Sequence, residues 1–348
     1  MAESFNFKNI LIIKPSSIGD IVLALPALSA LRKAFPDAKI TWLVRSEYAP
    51  LLENHPFINK LILFDRKFLG QAWFKPKALD ALLAFIRRLR SENFDVVFDF
   101  QGLFRTAAFA AFTGAKKRFG MANAREFASI FYTHKVNHDR SCIHLVDFYL
   151  KLVQSAGVQP AEPEFVLPIE PAAKKALDGL LASYDIAPGN YAVLIPGSAH
   201  FDKCWPVENF AALAEKISSR FGLSIVAVGG SSESRLAEKL VQLSNVKVFN
   251  LAGKTNLSEL TALLKYARIV IGNDTGPGHI AVALDTPAVI IFGRSNPARL
   301  APYKKPHSVA AVDPFSRGDK INNFEPKYDI KNITVDAVFE KVRINLSG

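Results

Sequence analysis

Short runs built almost wholly of Ile, Leu, Val and Phe alternate along this chain with longer stretches whose apolar residues recur at spacings of three and four. In the first half the runs lie at 9–14, 39–44, 60–64, 95–100 and 117–120, and the helical spacings at 21–34, 78–89 and 103–112. A strand open to solvent on one face alternates polar and apolar residues. A near-continuous apolar run marks a strand covered on both faces. Parallel neighbours need a long crossover, which a helix in each gap supplies. The pattern therefore predicts doubly wound α/β layers rather than a one-faced antiparallel sheet. After a helical stretch at 144–156, Gly157-Val158-Gln159-Pro160-Ala161-Glu162-Pro163 reads as a linker. The rhythm then restarts, with runs at 191–196, 223–229, 246–250, 269–273 and 288–292. Helical spacings follow at 206–220, 233–243, 257–266 and 279–284, and a last one at 335–344. The expected fold class is α/β, with two Rossmann-like domains at 1–165 and 166–348 whose parallel sheets face across a cleft. The final helix closes the chain and is expected to pack back on the first domain. A length of 348 residues suits two domains of about 150 each.

Composition narrows the class. Hydrophobic residues at 49% and charged residues at 22% are those of an ordinary globular protein. The opening MAESFNFKNILIIKP lacks the basic start, long apolar core and small-residue cleavage site of a signal peptide. No segment approaches the ~20 apolar residues of a membrane-spanning helix. Cys142 and Cys204 are the only cysteines, which gives neither a disulfide framework nor a metal quartet. Reduced thiols in a cytoplasmic protein are the expectation. The formal charge of +11 favours an anionic partner: nucleic acid, an acidic membrane surface or a phosphorylated substrate. Charge alone does not choose among these, nor between them and a merely solvated basic surface. A concentrated basic run, a helix-turn-helix cue and an RNA-binding aromatic signature are all missing, so no nucleic-acid partner is expected.

Candidate chemistry sits where apolar runs give way to helices. The first such turn is Lys14-Pro15-Ser16-Ser17-Ile18-Gly19-Asp20, which places helix N-terminal amides and a carboxylate at a strand end. It is neither a Walker loop nor a G-x-G-x-x-G fingerprint. Spacing leaves Asp20 two roles, a reactive carboxylate or a partner of the positive helix end worth ~0.3–1 kcal/mol. A second turn, Asn273-Asp274-Thr275-Gly276-Pro277-Gly278-His279, offers amides from Thr275 to Gly278 that can cradle a diphosphate. A capping turn with Asp274 as the cap explains the same residues. A third element combines Gly197-Ser198 with Lys203, a mobile point charge that suits a phosphate. The fourth, Gly229-Gly230-Ser231-Ser232-Glu233, ends in a carboxylate able to accept two ribose hydroxyls or simply to charge the first helical turn.

In this order and spacing the segments resemble glycosyltransferase family 9, the bacterial lipopolysaccharide heptosyltransferases, over essentially the whole chain. ILIIKPSSIGDIVLALPAL is similar to that family's first strand, loop and helix, and NDTGPGHIAVALDTPAVIIFG to its late nucleotide-binding segment. WPVENFAALAEKI resembles the helix between them, while FDFQGLFRTAAFA and AREFASIFYTHKV are most like the heptosyltransferase I branch. The resemblance implies a GT-B fold, with acceptor on the first domain and nucleotide on the second. By residue it implies Asp20 as catalytic base within an active-site loop of Lys14, Ser17 and Gly19. The donor side would comprise Ser198, Lys203, Glu233, Asp274, Thr275, Gly276, Gly278 and His279. One departure is Ser198-Ala199, where the heptosyltransferase I pattern has two threonines.

The implied donor is ADP-heptose and the implied acceptor is Kdo-lipid A, an anionic glycolipid of the inner membrane's cytoplasmic face. Such an acceptor accounts for the basic charge. Arg66, Lys67, Gln101, Arg105 and Arg125 are its candidate contacts, with Lys75 and Lys77 adding charge. Phe68, Trp73 and Phe74 are placed either to enter the lipid interface or to pack beneath a loop. No D-x-D motif occurs, so no metal and no cofactor is expected. Heptosyltransferase II or another family 9 transferase fits the same motifs. A non-enzymatic nucleic-acid-binding protein and a sugar-nucleotide epimerase of the same two-domain type are the more distant alternatives.

Overall fold

The computed structural model describes residues 6–137, 143–318 and 320–347. Cys142, one of the two cysteines weighed above, lies outside them, and Cys204 carries a free thiol. The chain divides into two compact units, Met1–Pro168 and Ile169–Gly348. Past the expected linker, the Glu164 carbonyl accepts from Ser29 Oγ at 3.0 Å, and the Val166 carbonyl lies 2.9 Å from His55 Nε2. These bonds hold the chain on the first unit up to the division.

The first unit contains strands β1 (Asn9–Ile13), β2 (Lys39–Arg45), β3 (Lys60–Phe64), β4 (Val96–Asp99), β5 (Lys117–Met121) and β6 (His134–Val136). Its helices are α1 (Ile18–Ala34), α2 (Arg66–Leu69), α3 (Pro76–Ser91), α4 (Phe104–Phe112) and α5 (Leu145–Gln154). The strands pair in parallel in the order β3-β2-β1-β4-β5-β6. Sequence continuity reverses between β1 and β4, the position at which open α/β sheets bind ligands beyond their carboxyl ends. One sheet face is packed by Leu11, Ile13, Leu43, Ile62 and Val97 against Phe85 and Leu89 of α3 and Phe109 of α4. Phe64, Phe85 and Phe109 meet with ring centroids 5.1 to 6.0 Å apart. Truncating one of these rings to Ala costs about 3–5 kcal/mol.

The second unit repeats the layout. Its strands are β7 (Tyr191–Ile195), β8 (Ser224–Ala227), β9 (Val248–Asn250), β10 (Ile269–Asn273), β11 (Ala288–Ile291) and β12 (Val309–Ala310). The helices are α6 (Pro171–Ser183), α7 (Val207–Phe221), α8 (Ser234–Leu243), α9 (Leu257–Lys265), α10 (Gly276–Ala283), α11 (Pro297–Leu300) and α12 (Val335–Ser347). The order β12-β11-β10-β7-β8-β9, again all parallel, is the first sheet's topology shifted by six strands. Its switch point lies between β7 and β10.

The two doubly wound parallel layers are as the apolar runs required. Differences lie where local signal is short. β6 and β12 were not expected, because edge strands of three and two residues show no periodicity and exist only through pairing. α6 was missed although Ala173, Leu177 and Leu181 recur at helical spacing and are buried, with Pro171 in the first turn. The final helix α12 packs within the second unit, with Val338 and Val342 buried in the core formed by Ile271, Val289 and Phe210.

Candidate active site

At the carboxyl end of β1 the chain turns through Pro15 and Ser16 into α1, with Ser17 as N-cap and Asp20 in the first turn. Ser17 donates twice to Asp20 Oδ2, from its amide and its hydroxyl, each at 3.1 Å. Lys14 Nζ lies 3.6 Å from the same oxygen. The Asp20 side chain keeps 30% of its surface exposed, whereas Lys14 keeps 4%. Burial alone lowers a lysine pKa, but the charge of Asp20, with Tyr149 and Asp99 behind it, outweighs this and holds Lys14 above its ordinary value. Lys14 is therefore a permanent cation beneath the carboxylate. Its carbonyl accepts from Trp42 Nε1 at 3.1 Å, which anchors the loop to β2.

Across the switch point, Asp99 ends β4 with no exposed surface. Its Oδ2 accepts from the Tyr132 hydroxyl at 2.7 Å, and Oδ1 from the amides of Gln101 at 2.9 Å and Gly102 at 3.2 Å. Burial raises its pKa, and these donors, with Thr106, offset only part of the rise. The Tyr132 phenol is pushed upward by burial and by Asp99. Tyr132 lies flat across Gly120, where any Cβ would overlap its ring.

Between these loops a cavity of about 110 Å³ is lined by Pro15, Ser16, Arg45, Phe64, Arg66, Gln101, Leu103, Arg105, Thr106 and Glu126. Every lining segment follows the carboxyl end of a strand or opens α4. Three arginines against one glutamate suit an anionic occupant. Of the residues expected to contact acceptor, Arg66, Gln101 and Arg105 line this cavity together. Lys67 and Arg125 do not line it and lie exposed on α2 and beside Glu126. Arg45 was missed in the sequence, as were Thr106 and Glu126. Arg45 ends a strand otherwise read as core, and its guanidinium is held by Glu47 and by the Tyr48 ring at 5.4 Å.

In the second unit, Asp274 follows β10 and carries 6% side-chain exposure. Its Oδ2 lies 3.2 Å from Lys203 Nζ, and its Oδ1 lies 3.2 Å from His279 Nε2 on α10. Burial would raise this carboxyl, but the His279 hydrogen bond and the charges of His279 and Lys203 outweigh it and bring it to about 2. Thr275 caps α10, whose first turn is Gly276, Pro277 and Gly278. Gly278 permits close packing, since a Cβ there would stand 2.8 Å from Ile290 Cδ1. Asn273 ties the switch point together: Nδ2 donates to the Pro196 carbonyl at 2.8 Å, and Oδ1 accepts from the Trp205 amide at 2.9 Å. Glu233 reaches back so that Oε2 accepts from the Gly230 amide at 2.7 Å, and its side chain crosses Gly197, where any Cβ would overlap it. Ser198 is half-buried one residue beyond. Lys203, Glu233, Asp274, Thr275 and His279 thus gather around the ends of β7 and β10. Among the described residues, no group of three or more His, Cys, Asp and Glu side chains is arranged to hold a metal ion.

Each layer thus carries a candidate site at its switch point, and the family model for glycosyltransferase family 9 (heptosyltransferase) matches residues 82–322. The chain belongs to this family. It is a glycosyltransferase with a two-domain α/β fold like that of solved heptosyltransferases. It is 28% identical to lipopolysaccharide heptosyltransferase 1 of Escherichia coli K12 over 96% of this chain and 98% of that one. It is equally identical, at 28%, to the lipopolysaccharide core heptosyltransferase OpsX of Haemophilus influenzae, over 88% and 84% of the two chains. Among solved structures, E. coli heptosyltransferase WaaC with ADP superposes with a TM-score of 0.76 at 26% identity, covering 97% of this chain and 99% of that one. A family 9 glycosyltransferase from Veillonella parvula shares the fold with a TM-score of 0.85 at 24% identity, over 99% of both chains.

Proposed function

We propose that this glycosyltransferase moves a heptose from ADP-heptose to Kdo-lipid A of the lipopolysaccharide inner core, the reaction of the heptosyltransferase I branch, with inversion at the anomeric carbon. The observation that carries the reading is Asp20, held by Ser17 and Lys14 on the loop whose Pro15 and Ser16 wall an arginine-lined cavity. Relatives named heptosyltransferase 1, and a WaaC structure holding ADP-2-deoxy-2-fluoro heptose, support the donor. The first unit, residues 1–165 with the short segment up to the division, takes the acceptor, and the second takes the donor.

In this mechanism the acceptor hydroxyl attacks the anomeric carbon while the bond to the diphosphate oxygen breaks, through an oxocarbenium-like transition state. Asp20 accepts the hydroxyl proton late in the attack, as the alcohol acidifies. Such base catalysis contributes ~10²–10⁴-fold. Lys14 and Ser17 orient the carboxylate, and Gly19 precedes it in the first turn of α1. The departing diphosphate carries negative charge, which Lys203 and the amides at the start of α10 neutralise. Asp274 holds Lys203 and His279 in place, Ser198 adds a hydroxyl, and Glu233 is the ribose acceptor. Charge neutralisation by Lys203 and the helix end makes the reaction metal-independent. The enzyme works at the cytoplasmic face of the inner membrane. Its contact with the lipid-borne acceptor is peripheral in this reading; no helix among the described residues is long and apolar enough to cross a membrane.

A transfer assay with ADP-heptose and Kdo-lipid A tests both parts. Wild type transfers heptose, and Asp20→Ala loses ~10²–10⁴-fold in kcat; equal rates overturn the base assignment. EDTA leaves the wild-type rate unchanged. A rate abolished by EDTA and restored by Mg²⁺ removes Lys203 and α10 as sufficient charge stabilisers.

A further inference from the structure

We infer that the exposed basic stretch 66–77 of the first unit, which begins at the cavity-lining Arg66, is a docking surface for an anionic lipid bilayer, with Trp73 and Phe74 as its inserting side chains. The inference deepens the proposed function, on which it rests for the acceptor being lipid-borne. Trp73 is 93% exposed and Phe74 88%, on the stretch joining α2 to α3. Neither lines the cavity. Large aromatic side chains left this bare have not been buried by folding and are available to another phase. Tryptophan in particular settles at a membrane interface, where its ring is apolar and its N–H is wet.

Exposed aromatic residues also stand close in sequence to cavity-lining ones. Phe68, 41% exposed, follows the lining residue Arg66; Phe104, 48% exposed, lies between the lining residues Leu103 and Arg105; Phe127, 83% exposed, follows the lining residue Glu126. Three separate segments that wall the cavity thus each carry a partly or largely exposed aromatic residue within two positions of a lining residue. Phe127 and Glu126 both adopt positive φ, 57° each, a conformation unusual for bulky residues that turns this loop at the rim.

Charge selects the occupant. Arg66, Lys67, Lys75 and Lys77 are interleaved with the apolar residues of the 66–77 stretch, and all four are exposed. Each cation near an anionic bilayer surface contributes attraction, whereas a second copy of this chain would bring the same cations face to face. A bilayer docked on this stretch also brings a lipid-borne sugar to the segment that carries the cavity-lining Arg66.

The intrinsic fluorescence of the full-length chain tests this, because Trp42 and Trp205 are buried and Trp73 alone is exposed. Vesicles of phosphatidylcholine with phosphatidylglycerol shift the emission to the blue and sediment with the protein, while pure phosphatidylcholine vesicles bind weakly. Trp73→Phe retains binding and loses the shift. Combined Trp73→Ala and Phe74→Ala weakens partition onto the anionic vesicles by about tenfold or more. Combined Lys75→Gln and Lys77→Gln weakens it by about tenfold and leaves binding to pure phosphatidylcholine unchanged. The double-alanine variant keeps wild-type transfer to a deacylated, soluble acceptor. No transfer to that acceptor by wild type counts against the proposed reaction, and leaves the vesicle result to decide docking on its own. Absence of the blue shift with anionic vesicles, or wild-type partition by the double-alanine variant, overturns the docking surface. So does light scattering that shows a dimer which Trp73→Ala dissociates.

Discussion

Asp99 and Asp274 occupy matching places in the two units, each buried at the carboxyl end of its unit's fourth strand and beside its first. Their surroundings differ. Asp99 meets neutral donors, the Tyr132 hydroxyl and the amides of Gln101 and Gly102. Asp274 meets Lys203 and His279. Burial raises both carboxyls, and neutral hydrogen bonds offset only part of that at Asp99. At Asp274 the basic partners win, to about 2. The lysines explain the divergence. Lys14, at the end of β1, has its carboxylate partner in Asp20 on the following helix, 3.6 Å away. Lys203, beyond the end of β7, turns to the aspartate of β10 instead. One topology therefore yields a partly exposed carboxylate in the first unit and a buried, charge-compensated one in the second. In the proposed mechanism the first arrangement leaves an aspartate for chemistry, and the second holds a cation ready for an anion.

Substitutions can break this contrast. The largest effect belongs to the exposed carboxylate: Asp20→Ala loses the ~10²–10⁴-fold of base catalysis while donor KM stays near wild type. Lys203→Ala is expected to lower kcat/KM for the donor by ~10²-fold, with the acceptor KM unmoved. A matching loss in acceptor KM would mean that the two sites do not divide the substrates. Asp274→Asn acts on stability. A carboxyl brought from 3.8 to about 2 contributes on the order of 2 kcal/mol. Because the folded pKa is depressed, that contribution is present above 3.8 and lost as pH falls toward 2. Urea unfolding should therefore show the variant weaker at neutral pH, with the gap closing in acid. Asp99→Asn has the smallest effect and the opposite sign. Its folded pKa is raised, so its contribution is present in acid and lost as pH rises through the folded value. The amide keeps an acceptor for Gln101 and Gly102, and the variant should lose less at neutral pH than Asp274→Asn. An equal loss would show that the ionised Asp99, not its geometry, supports the fold.

The sequence by itself determined the layering, because covered strands and their crossover helices are written in local apolar spacing. β3 and β10 begin and end where their apolar runs do. The strand-to-helix turns that carry Asp20, Lys203, Asp274 and His279 were legible as well, since Ser, Gly and Pro punctuation marks each within a few residues. Tertiary structure decided what long-range pairing brings together. The edge strands β6 and β12 are too short to carry a pattern and form only beside a neighbour. Asp99 reads as the polar end of a buried strand until parallel pairing of β4 with β5 and of β5 with β6 brings Tyr132, 33 residues on, against it. Arg45 reads as the edge of a core strand until the loops after β1, β3 and β4 close around it. Lys203 and Asp274 are 71 residues apart and meet because β7 and β10 are adjacent at the switch point. Local spacing fixes which residues stand at strand ends, but only the order of strands in the sheet decides which of those ends are neighbours.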